Sequence, residues 1–180
     1  MLTVLEKTSG RTIDKNPWWE YRHDQYRLPD GSEGEYYFVH TPGSAMVIPV
    51  TAEGNLVFVK QFRYLNGRVS IEFPGGGIKE EQSASDAAYR ELKEETGFEA
   101  GRLRELGIFN PMNGVTDELC TVFMASDLKK NVATPEPTEE FELLELSIDE
   151  CHAAIRSGQL WDGMTLAALM IFEQIRDSNG

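Results

Sequence analysis

Short apolar runs broken by turn residues fill the first seventy positions, a pattern that predicts strands rather than helices. Residues 18–28 and 35–40 read as two strands joined by the Pro29-Asp30-Gly31 turn. Residues 45–50 and 55–63 read as a second hairpin around Glu53-Gly54, and 70–73 as a short strand feeding a glycine loop. The period then changes. Ala84, Ala87, Ala88 and Leu92 share one face of a helix that Ser83 opens, with Asp86 three residues on, and that Gly97 stops. Strands return at 102–109, 118–125 and 141–146. Ser147 with Glu150 opens a helix ending near Gly158, and an amphipathic helix closes the chain from about 163 to 176. Strands, an inserted helix, strands again and two closing helices predict an α/β fold whose mixed sheet is covered on both faces.

The polar side of the inserted helix carries the strongest chemical signal. Glu91, Glu94 and Glu95 stand at i, i+3 and i+4, so a regular helix crowds their carboxylates together. Like charges at that spacing cost about 0.2–0.5 kcal/mol per pair. Two arrangements offset this cost. A hard divalent cation takes oxygen ligands and shares them with a phosphorylated substrate; alternatively, a solvated face pairs its glutamates with Arg90 and Lys93.

Composition narrows the classes. The 180 residues suffice for one domain with a full core and a small N-terminal extension. No apolar run approaches the length of a bilayer span and no basic-then-apolar leader is present, which makes the cytoplasm the expected location. The formal net charge of −13 argues against a protein that wraps long nucleic acid. A bound cation and a few arginines could invert that field locally for a small diphosphate. Cys120 and Cys151 have no metal-type spacing and read as buried thiols; His23, His40 and His152 share no spacing and read as structural.

Residues 75–98, GGGIKEEQSASDAAYRELKEETGF, resemble the signature of the Nudix hydrolases. Gly76, Arg90, Glu91, Leu92, Glu94, Glu95 and Gly97 fall at the signature's spacing, and Phe98 is its bulky apolar last member. Gln82 stands where the signature has a glutamate and contributes no charge. Val59-Lys60-Gln61-Phe62-Arg63-Tyr64, Ile71-Glu72-Phe73-Pro74-Gly75-Gly76, Pro111 and Gly158-Gln159-Leu160-Trp161-Asp162-Gly163 are similar to segments of the ADP-ribose and nucleoside-diphosphate-sugar pyrophosphatase branch, in the same order.

This resemblance implies the Nudix α/β/α sandwich over 41–180, preceded by an antiparallel β extension over 1–40 that often serves dimerisation, and hence a homodimer. It implies Mg²⁺, with Mn²⁺ as a substitute, held by Glu91, Glu94, Glu95 and the backbone carbonyl of Gly75, with Arg90 orienting the glutamates. A glutamate from a late loop is often the base in this branch; the matching stretch 134–140 makes Glu140 the first candidate and Glu139 the second. Arg63, and less directly Arg68, are the cations for phosphate, where Arg offers a bidentate fork. Trp18 or Trp19 could stack on a nucleobase, and Glu118 is a further acid able to reach the site. The implied reaction is metal-dependent hydrolysis of a nucleoside diphosphate sugar, ADP-ribose or GDP-mannose, to a nucleoside monophosphate and a sugar phosphate. A non-catalytic nucleotide-sugar-binding module, and a hydrolase of nucleoside triphosphates or dinucleoside polyphosphates, remain as alternatives.

Overall fold

Residues 3–133 and 140–177 are described by the computed structural model. They fall into two units, one drawn from Met1–Pro42 and Asn110–Leu119, the other from Gly43–Phe109 and Cys120–Gly180.

The first unit is an antiparallel sheet of β1 (Glu6–Lys15), β2 (Glu20–Arg27) and β3 (Glu33–His40), with β2 central. The β2–β3 hairpin is the one expected from the Pro29-Asp30-Gly31 turn, where Gly31 takes a φ of 87°. Strand β1 was not expected. Its sequence EKTSGRTIDK is polar but for Ile13 and Gly10, yet it pairs with β2 along its length with two irregularities in register. Residues 110–119 join this unit through β3. The Val39 amide donates to the Val115 carbonyl at 2.9 Å, the Tyr36 hydroxyl donates to the Gly114 carbonyl at 3.0 Å, and His40 lies 2.7 Å from Asp117.

The second unit holds β4 (Ser44–Pro49), β5 (Leu56–Arg63), β6 (Arg68–Glu72), β7 (Gly75–Gly77), α1 (Ala84–Glu91), β8 (Phe98–Phe109), β9 (Cys120–Lys130), β10 (Glu142–Leu146), α2 (Ile148–Arg156) and α3 (Gly163–Asp177). A mixed sheet runs β7-β4-β9-β8, with β4 and β9 parallel; an antiparallel sheet runs β10-β5-β6.

Period-two alternation explains why the mixed sheet is covered on both faces. From β4, Ala45 and Val47 point to one side and Met46 and Ile48 to the other; from β9, Phe123 and Ala125 oppose Cys120 and Val122. The first set packs against Ala87, Ala88 and Leu92 around α1. The second packs with Phe58 and Phe73, whose rings stack at 4.4 Å, and with Cys151, Ala154, Ala168, Leu169 and Phe172 of α2 and α3. This is the expected α/β/α arrangement. Both cysteines are buried free thiols, and burial, with Glu150 and Glu173 nearby, pushes the Cys151 thiol up to about 12.

Two expectations are corrected. Residues 45–50 and 55–63 do not form a ladder. They share only the Val50–Leu56 bridge before entering different sheets. The reason is edge occupancy: β7 and β9 fill both edges of β4, and β6 and β10 fill both edges of β5. The glycine run is also not a free loop. Gly75, Gly76 and Gly77 pair with Met46, Ala45 and Ser44 as a short edge strand.

Candidate active site

The site starts from the way α1 ends. The Ser83 hydroxyl accepts the Asp86 amide and caps its N-terminus. Gln82, the residue at the signature's missing glutamate, closes the preceding turn: its side-chain oxygen accepts the Lys79 amide at 3.1 Å. After Glu91 the helix does not continue regularly. Leu92–Thr96 form a wider π turn, closed by Gly97 in the left-handed region at φ 71°. The Thr96 hydroxyl donates to the Leu92 carbonyl, an insertion into the helical ladder of the kind that bends or widens a turn. Glu94 and Glu95 therefore do not sit at the regular i+3 and i+4 angles that the sequence implied.

That turn faces the glycine strand. Glu91 and Glu95 are nearly buried, 9% and 6% exposed. Glu95 accepts the Gly75 amide at 3.2 Å. A Cβ on Gly76 would stand 2.2 Å from the Glu91 carboxylate, so glycine lets the carboxylate lie here without being displaced. Arg90 ties the group together: it lies 2.8 Å from Glu91, donates to Glu94 at 2.9 Å and donates to the Gly77 carbonyl at 3.0 Å. Burial opposes the Arg90 charge, but Glu91 and Glu94 outweigh it and hold the guanidinium above its ordinary value. Lys93 turns away to Glu99 at 2.7 Å. Burial of Glu91 and Glu95 departs from a solvated face, while the pairing of Arg90 that such a face predicts is present with both Glu91 and Glu94.

Among the described residues, no three acidic, histidine or cysteine side chains already form a metal cage. The donor set nevertheless fits a hard cation, which needs oxygen ligands and leaves positions for backbone carbonyl, water and phosphate. Two nearly buried carboxylates pressed against side-chain-free backbone supply them.

Arg63, at the end of β5, is held by Glu72, the last residue of β6, through two contacts: Nε donates to one carboxylate oxygen at 2.8 Å and Nη2 to the other. This hydrogen-bonded carboxylate holds Arg63 above its ordinary value despite partial burial, with Asp162 and Glu95 contributing through their charge. Glu72 is 4% exposed and carries no role in the sequence reading. A charged residue set between Ile71 and Phe73, both core residues, was the available signal.

Arg68 lies 3.7 Å over the Trp161 ring, lining a cavity of about 890 Å³ with Lys60, Ile71, Leu144 and Leu146. Lys60, Ile71 and Leu144 project from the sheet face opposite Glu72, so this cavity lies on the other side of that sheet from the Arg63–Glu72 pair. Glu140 is exposed and lies two residues before β10, at the Arg63 end of β5. Glu139 lies outside the described residues. Trp18, Trp19 and Glu118 belong to the first unit; Trp18 is 76% exposed, and its amide and that of Trp19 donate to the Asn16 side chain.

Residues 40–163 match the NUDIX domain model. The chain is 31% identical to an ADP-ribose pyrophosphatase of Bacillus subtilis (strain 168), over 96% of this chain and 95% of that one. It is also 31% identical to a methanol dehydrogenase activator of Bacillus methanolicus, over 92% and 87%. A solved structure titled as an ADP compounds hydrolase superposes with a TM-score of 0.85, covering 100% of this chain and 98% of that one at 18% identity, a likeness of fold.

Proposed function

This chain belongs to the Nudix family, and we propose that it hydrolyses the diphosphate of nucleoside diphosphate sugars, with ADP-ribose and GDP-mannose as the leading substrates. The observation that carries the reading is the pair of nearly buried carboxylates, Glu91 and Glu95, packed against Gly75 and Gly76. Carboxylates are kept in a protein interior only with specific partners, and these two are gathered with Arg90 against side-chain-free backbone that leaves room for an oxygen-liganded ion. The B. subtilis relative, matched over nearly its whole length, supports ADP-ribose first.

Nudix hydrolases generally use divalent metal ions. Here Glu91, Glu94, Glu95 and the Gly75 carbonyl would hold Mg²⁺, with Mn²⁺ as a substitute. When bound, the ion neutralises diphosphate charge and lowers the pKa of bound water. Arg90 fixes the glutamates through charge-assisted hydrogen bonds. Arg63 takes a phosphate oxygen, with Arg68 as a second, weaker cation. Trp18 or Trp19 stacks on the base, and Glu118 is a further acid at the substrate. Glu140, or Glu139 beside it, accepts the proton of the attacking water. The water oxygen bonds to phosphorus as the bridging P–O bond breaks in line, leaving a nucleoside monophosphate and a sugar phosphate. The same reading makes the protein a cytoplasmic homodimer joined through residues 1–40, with no nucleic-acid or membrane partner; no described helix is long and apolar enough to cross a bilayer.

The test is Mg²⁺-dependent release of nucleoside monophosphate across a panel of nucleotide sugars. Glu95→Gln is expected to lower kcat by about 10²-fold or more with the fold retained. A folded wild-type protein that turns over no member of the panel ends this reading.

A further inference from the structure

We propose that Glu72 is a positioning residue that aims the Arg63 guanidinium at the substrate's phosphates. The proposal rests on the assignment of Arg63 to phosphate made above.

The pair is lopsided. The Glu72 side chain is 5% exposed, whereas that of Arg63 is 48% exposed. The anion is sealed into the protein and the cation reaches out from it. A buried ion pair is weak evidence for stability, because desolvation consumes most of the attraction. Holding an exposed arginine in one orientation is what this arrangement does well.

The geometry supports that use. Nε and Nη2 of Arg63 engage the two Glu72 oxygens as a fork, which fixes the guanidinium plane. Three of the five N–H donors are left on the other edge of the group. The carboxylate is itself pinned from a second direction, by the Gln61 amide at 3.3 Å. Strand register puts these groups together. Glu72 lies opposite Val59, and Gln61 and Arg63 follow Val59 at two-residue steps, so all three share one face of the β10-β5-β6 sheet. Glu72 is also three residues before Gly75, whose amide binds Glu95. One strand end therefore sets both the arginine and the glycine backbone under the glutamates. Glu72 foremost, with smaller contributions from the charges of Asp162 and Glu95, holds Arg63 above its ordinary value.

Steady-state hydrolysis of ADP-ribose and thermal midpoints, measured for wild type, Glu72→Gln, Arg63→Lys, Arg63→Met and the Arg63→Met/Glu72→Gln double variant, test the assignment. Glu72→Gln is expected to raise KM about tenfold and to change kcat less than about threefold. Arg63→Lys keeps the charge without the fork and should show the same rise. In the Arg63→Met background, adding Glu72→Gln should leave KM unchanged within about twofold. An unchanged KM in Glu72→Gln or in Arg63→Lys overturns the proposal. So does an equal rise in the absence of Arg63, which would mark a purely structural role. If Arg63→Met fails to fold around an unpaired Glu72, the Arg63→Lys comparison decides alone. A wild-type enzyme with no turnover would instead retire the functional reading itself.

Discussion

The two outer limits of strand environment occur in one chain. All six residues of β4 are buried, and all ten of β1 are exposed. On β4, side chains alternate into two apolar clusters, so a one-residue slip would exchange the two cores and is strongly opposed. On β1 no core stands to be lost by slippage. Its register with β2 rests on the backbone ladder and on cross-strand pairs such as Lys7–Asp24 at 2.7 Å, Lys15–Glu20 at 2.9 Å and Arg27–Glu6 at 3.7 Å. Exposed pairs of this kind contribute about 0–1 kcal/mol each. Burial therefore specifies the first strand, while the second is specified by many weak, polar terms.

The sharpest way to break that contrast is to delete one apolar side chain from each environment. Phe58 is fully buried and stacked on Phe73, so Phe58→Ala should cost about 3–5 kcal/mol in urea denaturation. Ile13, the one large apolar residue of β1, is 45% exposed, and Ile13→Ala should cost less than about 0.5 kcal/mol. Comparable losses at the two positions would show that β1 is far better specified than its exposure indicates.

A smaller effect on stability, with a larger one on chemistry, is expected at the glycine strand that borders β4. Gly76→Ala places a methyl against the Glu91 carboxylate, which must move. The carboxylate ends a flexible side chain and can swing aside, so the expected outcome is less than about 1 kcal/mol of destabilisation together with loss of most turnover. Gly77, whose Cβ would meet nothing within 4 Å, is the control: Gly77→Ala should leave turnover close to wild type. Equal activity in both variants would mean that the approach of backbone to Glu91 has no catalytic consequence.

The same contrast explains what could be read from the sequence. The buried strands, α1, α2 and α3 were legible because their apolar residues repeat with the period of the element and their caps are explicit, as at Ser147 and Glu150. Strand β1 was not, because a strand with neither face buried within its own chain shows no apolar pattern. The false hairpin of 45–50 with 55–63 came from reading a turn locally, when partner choice depends on which edges other strands occupy. At the site, the signature fixed Arg90, Glu91, Glu94, Glu95 and the glycines, which the structure brings together. It could not show the π turn at Leu92–Thr96, which depends on a side-chain hydroxyl entering the ladder. Nor could it show the Arg63–Glu72 fork, which joins residues on different strands.

The finest effect tests the polar side of the contrast. On β2, the Lys15 ammonium, then Arg22 and Thr12, hold the Glu20 carboxyl at about 2, well below its ordinary 4.5. A group depressed in the folded state adds stability that is fully present above its unfolded value and is lost as pH falls through the folded one. The Glu20 contribution should therefore be intact above about 4.5 and fade between that pH and about 2. NMR titration of the Glu20 carboxyl should give a midpoint near 2, and Glu20→Gln should flatten the acid limb of the stability curve slightly in that window. A Glu20 midpoint at the ordinary value would mean that these charge pairs do not persist in solution. The register of β1 would then have to be attributed to its backbone ladder alone.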